Sequence, residues 1–160
     1  MASQQAAQVV RACVEAGVTL ATAESLTAGL VAARIAEVPG CSAMLRGGVI
    51  AYATEVKAQV LGLDQVSLEQ VVSQAVASQL AQAATRVLGS AIGVGTTGVA
   101  GPDWLAGEPP GIVWIAAFDA RSDVTLTTRL ELKGDRAAIR EGTVFASLEL
   151  VLKLRAEAGE

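Results

Sequence analysis

The chain of 160 residues is long enough for one domain with its own core, because a chain of this size buries roughly 70% of its unfolded surface. Apolar residues make up 52% of it but aromatic residues only 3%, so the core must be built from Ala, Val, Leu and Ile. The net charge of −4 argues against a nucleic-acid groove, and no apolar run approaches the ~20 residues that span a bilayer. Because no basic segment precedes an apolar one at the N-terminus, we expect a cytoplasmic protein.

The sequence contains no histidine, and this excludes several kinds of catalytic site. Ser-His-Asp and Cys-His mechanisms and His-ligated metal sites all require an imidazole. The two cysteines, Cys13 and Cys41, are too few for a disulfide framework or a metal site, and free buried thiols are their simplest interpretation. If the protein performs acyl-transfer chemistry, its general base must therefore be a lysine or a carboxylate.

Apolar periodicity and turn residues predict that helices and strands alternate along the chain. The predicted elements are a helix over 3–16, a strand over 18–25, a helix over 27–37, a strand over 47–53, helices over 54–62 and 73–88, strands over 91–97, 112–118 and 124–132, and a helix over 134–159. The last two strands form a predicted hairpin. This order predicts the α/β class with a mixed β-sheet. We expect a single three-layer domain over 1–160, in which helices flank that sheet.

Polar residues at the carboxyl ends of the strands are candidates for a site, because ligands of open α/β sheets bind there. Ser25 and Thr27 follow the first strand and are predicted to cap the next helix, whose first turn could then hold an anion. Thr97 leads into a loop with Gly98 and Gly101, where backbone N–H groups can approach a ligand closely. At both places a simple cap or turn is the alternative.

Lys57 and Tyr52, the only tyrosine, lie five residues apart where a strand runs into a helix. With Thr54 as the predicted N-cap, Lys57 lies in the first turn, where the helix dipole and apolar neighbours lower a lysine pKa from about 10.4. A general base works best near its operating pH, so this direction favours catalysis. The alternatives are a surface lysine lying along its helix and a half-buried tyrosine with a hydrated hydroxyl.

Two further segments carry residues with chemical potential. Ser42 lies in a Gly-rich turn ahead of the second strand, where a plain turn residue is the simplest interpretation and Cys41 is a rival nucleophile. At the start of the last helix Asp135 is a predicted N-cap, and Arg136 shares a helical face with Arg140. Arginine forks suit phosphate or carboxylate groups, and pairing with internal acids is the alternative.

Five motifs, in this order, resemble the C-terminal domain of the competence-damage-inducible protein CinA. They are TAESLTAG, GCSAMLRGGVIAYATEVKAQVLGL, TTGVAGPD, PPGIVWIA and LKGDRAAIR, and the resemblance extends from about residue 17 to 152. It implies a nicotinamide mononucleotide deamidase of pyridine nucleotide recycling, which produces nicotinic acid mononucleotide and ammonia. It also implies a serine–lysine mechanism that needs neither a metal nor a cofactor.

The resemblance also assigns roles to residues of this chain. It implies Ser42 as the nucleophile, Lys57 as its general base and Tyr52 as the tyrosine of a Tyr-x-x-x-x-Lys pattern. The oxyanion would be held by backbone N–H groups near Ser42 or in the loop from Gly98 to Gly101. The polar residues that correspond to the substrate site are Ser25, Thr97 and Arg136.

The chain departs from the family pattern after Ala-Gly-Pro, where Trp104 and Leu105 stand in a segment that is usually Gly-rich. Two alternatives to the enzyme therefore stay open: a non-catalytic pyridine-nucleotide-binding module, and an interaction protein for competence or DNA repair. We expect a small nucleotide as substrate and no direct contact with nucleic acid or membrane. A homodimer through the apolar side of the last helix is a further hypothesis.

Overall fold

A computed structural model describes residues 2–159. Its elements in chain order are α1 (Ala2–Ala16), β1 (Leu20–Glu24), α2 (Leu30–Ala36), a 3₁₀ turn (Cys41–Ala43), β2 (Leu45–Ile50), α3 (Thr54–Gln59), α4 (Gln65–Leu68), α5 (Gln74–Leu88), β3 (Ile92–Gly98), β4 (Ile112–Asp119), β5 (Val124–Glu131) and α6 (Arg136–Ala158). Every element expected from the sequence is present, and the short α4 is an addition. No helix in this part of the chain combines the length and apolar character needed to cross a membrane.

The five strands form one mixed sheet in the order β2-β1-β3-β4-β5. β1 is parallel to β2 and to β3, while β3, β4 and β5 are antiparallel to one another in turn. The expected α/β class, mixed sheet and β4–β5 hairpin are confirmed. In this register the end of β1, Glu24, lies between Ile50 of β2 and Thr96 of β3. The residues that follow these three strands therefore meet at one edge of the sheet.

Helices cover both faces of the sheet. α1, α2 and α6 share an apolar core with one face, which includes Leu20 and Val94, while α5 packs on the other face against Ala21 and Ala23. The alternation of Leu20 and Ala21 between the two faces follows from the two-residue period of a strand. Both thiols of the chain are free, and Cys13 is fully buried in the α1 face.

Two glycines of β3 let α5 lie directly on the sheet. A Cβ atom at Gly93 would stand 1.9 Å from the Ala81 carbonyl oxygen, and one at Gly95 would stand 2.3 Å from the Ala77 carbonyl oxygen. Any side chain at either position would collide with helix backbone, which cannot move aside as the tip of a flexible side chain can. These glycines therefore set the distance between α5 and β3.

The helix starts differ in part from the sequence prediction. Asp135 caps α6 as expected, and its carboxylate accepts a hydrogen bond from the Ala138 N–H at 2.9 Å. The predicted cap at Thr54 is wrong, because α3 begins at that residue and Ala53 occupies the cap position without a side-chain hydrogen bond. Lys57 consequently lies one position further into α3, in its second turn.

Candidate active site

Ser25 and Lys57 come together because β1 and β2 are parallel neighbours. Glu24 at the end of β1 pairs with Ile50 at the end of β2, and the Ala51 N–H donates to the Glu24 carbonyl at 2.8 Å. Ser25 is the first residue after β1. α3 begins shortly after β2 and carries Lys57 back over the same edge of the sheet.

The Lys57 amine is buried in a cage of three oxygen atoms. Its Nζ lies 3.0 Å from Ser25 Oγ, 2.7 Å from the Ala51 carbonyl oxygen and 3.0 Å from the Tyr52 carbonyl oxygen. The Lys57 side chain is 1% exposed. Burial lowers the pKa of Lys57 from 10.5 to about 8, against a smaller opposing effect of the Glu55 carboxylate.

This cage orients the amine when it is neutral. A neutral amine has two N–H donors and one lone pair, and the two backbone carbonyls accept only. When both N–H groups donate to Ala51 and Tyr52, the lone pair is left to accept the hydroxyl proton of Ser25. The arrangement therefore matches that of a general base beside a nucleophile.

Ser25 is held on its other side by β3. The Ser25 N–H donates to the Thr96 carbonyl at 3.1 Å and lies 3.3 Å from Thr96 Oγ1. The Thr27 and Thr96 hydroxyls are 2.9 Å apart. Because its N–H is already donated to Thr96, Ser25 cannot itself supply a backbone donor to an oxyanion.

Glu24, rather than Ser25 or Thr27, caps α2. Its fully buried carboxylate accepts from the Val31 N–H at 2.9 Å and the Ala32 N–H at 3.1 Å, and from the Thr27 hydroxyl at 2.6 Å. The Thr22 hydroxyl donates to it as well, at 2.8 Å. The predicted caps at Ser25 and Thr27 are therefore wrong. The Glu24 carboxylate binds the N–H groups at the start of α2, where we expected a bound anion.

Arg140 fixes the turn that carries Ser25. Its Nε donates to the Leu26 carbonyl and its Nη2 to the Thr27 carbonyl, both at 2.9 Å. Arg136 and Arg140 share one face of α6, as predicted from the sequence, and this face is turned toward the site. Arg140 binds backbone carbonyls there rather than an internal acid.

A cavity of about 250 Å³ opens beside this pair. Its lining comes from the turn after β1, the end of β2, the loop after β3 and the start of α6, and includes Ser25, Leu26, Tyr52, Gly98, Gly101, Trp104 and Arg136. The Arg136 guanidinium donates to the Gly101 carbonyl and to the Tyr52 hydroxyl. The cavity is therefore lined both by Ser25, the hydrogen-bond partner of Lys57, and by a cationic side chain.

A larger cavity of about 500 Å³ lies at the opposite end of the sheet, beside Asp119 and Arg121. The buried Asp119 carboxylate accepts from Arg121 Nη2 at 2.7 Å, so its charge is already paired. No lysine is among the described residues that line this cavity. It contains no pair comparable to Ser25 and Lys57.

The structure does not bring Ser42 to Lys57. Ser42 lies in the exposed 3₁₀ turn before β2, whereas Lys57 follows that strand. Six residues of strand at about 3.3 Å each separate the two ends by roughly 20 Å. Cys41 shares this remote turn. Ser42 is therefore too far from Lys57 to be its hydrogen-bond partner, and Ser25 lies beside the lysine instead.

Among the other expected residues, the structure brings most to one place. Tyr52, Gly98, Gly101 and Arg136 line the cavity with Ser25. Thr97 does not, since its buried hydroxyl donates to the Val71 carbonyl at 2.7 Å.

The sequence did not reveal three contributions: the cap that Glu24 forms on α2, the contact of Thr96 with Ser25, and the clamp by Arg140. A glutamate that ends an otherwise apolar strand was the one available signal. The other two depend on distances between elements that are remote in sequence.

Together these features define an α/β fold with a mixed five-stranded sheet and a buried serine–lysine pair at the carboxyl ends of its parallel strands. The family model of the CinA C-terminal domain matches residues 2–155, and the chain belongs to this family. It is 43% identical over 145 residues to a CinA-like protein of Frankia casuarinae, covering 89% of this chain. That match spans 33% of the relative, so the chain spans about a third of the length of the curated relatives it matches.

Solved structures share the whole fold. A CinA superfamily protein from Klebsiella pneumoniae 700603 superposes with a TM-score of 0.93 at 28% identity, covering 98% of this chain and 99% of that one. The competence/damage inducible protein CihA from Agrobacterium tumefaciens gives a TM-score of 0.90 at 30% identity, covering 96% and 94%.

Proposed function

We propose that this chain is a serine amidohydrolase that converts nicotinamide mononucleotide to nicotinic acid mononucleotide and ammonia, with Ser25 as nucleophile and Lys57 as general base. The observation that carries the proposal is the 3.0 Å separation of Ser25 Oγ and Lys57 Nζ, with the Ala51 and Tyr52 carbonyl oxygens as the other two neighbours of the amine. The substrate class comes from the resemblance of the five motifs. The role that the resemblance implied for Ser42 passes to Ser25, because Ser42 lies beyond reach of the base.

In the first half of the reaction, neutral Lys57 takes the Ser25 proton while Oγ attacks the carboxamide carbon. The bond from Oγ to carbon forms, and the carbonyl oxygen becomes an oxyanion. Collapse of this intermediate breaks the bond from carbon to nitrogen, and the Lys57 ammonium returns its proton to the leaving ammonia. In the second half, Lys57 takes a proton from water as its oxygen attacks the acyl-enzyme carbon. The bond from carbon to Ser25 Oγ then breaks, and the Lys57 ammonium gives its proton to Oγ, which restores the hydroxyl and the neutral amine.

Backbone groups of the loop after β3 are the candidates for stabilising the oxyanion. The Val99 N–H already donates to the Ile112 carbonyl at 2.9 Å. Ala100 and Gly101, which line the cavity, are the next residues along the chain. One well-placed donor of this kind accounts for about 3 kcal/mol of transition-state stabilisation. Arg136 is the candidate for binding the substrate phosphate, because a guanidinium fork matches phosphate oxygens.

The test is ammonia release from nicotinamide mononucleotide by the unchanged chain and three variants. We expect Ser25→Ala and Lys57→Met each to lower kcat by about 10³-fold or more, as loss of a nucleophile or its base does. Ser42→Ala should keep kcat within about twofold, since its turn lies at the far end of β2. Full loss in Ser42→Ala with activity kept in Ser25→Ala would overturn the assignment. Nucleotide binding without turnover by the unchanged chain would favour a binding module instead.

A further inference from the structure

Two of the five aromatic side chains of this chain lie on the candidate cavity. Trp104 is 68% exposed and Tyr52 is 52% exposed. In contrast, Phe118 is buried and Trp114 packs against it under α5. Exposed apolar surface at the mouth of a cavity is typical of a binding site. The exposed Trp104 indole at this cavity is therefore a candidate contact for a ligand.

The segment that carries Trp104 is held in place from both sides. The backbone of Leu105 and Glu108 forms two hydrogen bonds, of 3.0 Å and 2.9 Å, that close the turn after the tryptophan. The Gln70 side chain donates to the Ala106 carbonyl at 3.2 Å and ties this turn to the segment after α4. Trp104 therefore stands on a preformed turn, which reduces the ordering cost of binding.

The cavity carries groups of opposite charge on different elements. Asp103 stands beside Trp104 on the loop, and both line the cavity. Arg136 enters from α6 and is anchored by the Gly101 carbonyl and the Tyr52 hydroxyl. A ligand with one positive and one negative end matches this distribution.

We propose that Trp104 is a specificity-determining residue that holds the positively charged pyridine ring of the substrate against its indole face, with Asp103 adding to the attraction. This inference rests on the proposed function, in which the substrate is a pyridinium nucleotide. A tryptophan face attracts a cation more strongly than other aromatic faces do, and a cation–π contact with a desolvated cation contributes about 5- to 30-fold in affinity. A neutral ring of the same shape gains only stacking.

The experiment compares a charged and a neutral ligand by isothermal titration calorimetry. Ser25→Ala protein is used so that no turnover occurs during the titration. The ligands are nicotinamide mononucleotide and its benzamide analogue, in which a benzene ring replaces the pyridinium and removes the positive charge. Trp104→Phe and Trp104→Leu form a matched pair, since both residues are apolar but only phenylalanine keeps a π face.

We expect Trp104→Leu to weaken binding of the charged ligand about 5- to 30-fold, with Trp104→Phe intermediate. The neutral ligand loses only its stacking contact, so Trp104→Leu should weaken its binding severalfold less than it weakens binding of the charged ligand. With Ser25 intact, Trp104→Leu should raise KM by a similar factor and change kcat little, as loss of uniform binding does.

Equal weakening for both ligands, or none for either, would overturn the role of Trp104 and leave the proposed function standing. If the Ser25→Ala protein that keeps Trp104 failed to bind nicotinamide mononucleotide, both the role of Trp104 and the proposed function would be overturned.

Discussion

The pH dependence of the reaction reports on the buried amine. If Lys57 is the general base, only its neutral form is active, and its pKa of about 8 makes about 9% of the molecules competent at pH 7. With the ordinary pKa of 10.5, that fraction would be about 0.03%. Burial of this side chain therefore raises the competent fraction about 300-fold at pH 7.

The measurement is kcat/KM for ammonia release from pH 7 to pH 9.5. This range lies above the second phosphate pKa of about 6, so the charge of the substrate stays constant. We expect kcat/KM to rise about tenfold and to level off above about pH 9, because the neutral fraction of Lys57 rises from about 9% to about 97%. Rates of the Lys57→Met variant are subtracted as the background hydrolysis.

Two outcomes would refute the reasoning. A rise of more than 100-fold without a plateau would mean that Lys57 titrates near its ordinary pKa in spite of its burial. A flat profile would mean that its deprotonation does not limit the reaction. Lys57→Arg is the matched control, because a guanidinium keeps its charge across this range and should show no such rise.

Three further predictions concern residues around the amine. Glu24→Gln should lower the free energy of unfolding, measured in urea, by about 2–4 kcal/mol, because an amide cannot accept hydrogen bonds from all four donors. It should also lower kcat more than it changes KM. Unchanged stability would contradict this expectation. From pH 8 to 10.5 the unfolded chain holds the Lys57 proton that the folded chain has lost, so stability relative to Lys57→Met should rise by about 2.5 kcal/mol. The raised pKa of Cys13, about 11, acts in the opposite direction but equally in both proteins. Tyr52→Phe should raise KM severalfold, because Arg136 loses the hydroxyl that supports it. The value of kcat should stay within about threefold, because the backbone carbonyl that holds Lys57 remains. A 100-fold loss of kcat would mean that the hydroxyl takes part in the chemistry.

Periodicity and turn residues were sufficient to predict the elements and the class of the fold. Strands such as Ile92–Gly98 and helices such as Gln74–Leu88 were expected within a residue or two of their observed bounds. The two-residue and 3.6-residue periods are local properties, so they can be read from one sequence. α4 was missed because its four residues are too few to show a period.

The partner of Lys57 could have been deduced from strand direction. Ser42 precedes β2 and Lys57 follows it, so one strand length must separate them. Ser25 follows β1, and parallel neighbours end at the same edge of a sheet. The roles of Thr96 and Arg140 could not be found in this way, because they depend on sheet register and on the placement of α6, which no local pattern specifies.

The contact of Gly93 and Gly95 with α5 also determines where this protein can change. Because the backbone of α5 already fills the space that a side chain would need, neither Gly93 nor Gly95 of β3 can be substituted without moving the helix. In contrast, Asp103, Trp104 and Leu105 line the cavity from the loop after β3, and the side chains of Trp104 and Leu105 are exposed. We therefore expect new substrate preferences, natural or engineered, to arise by exchange of residues 103–105, and a mutant library confined to those positions to retain folded members far more often than one placed on β3.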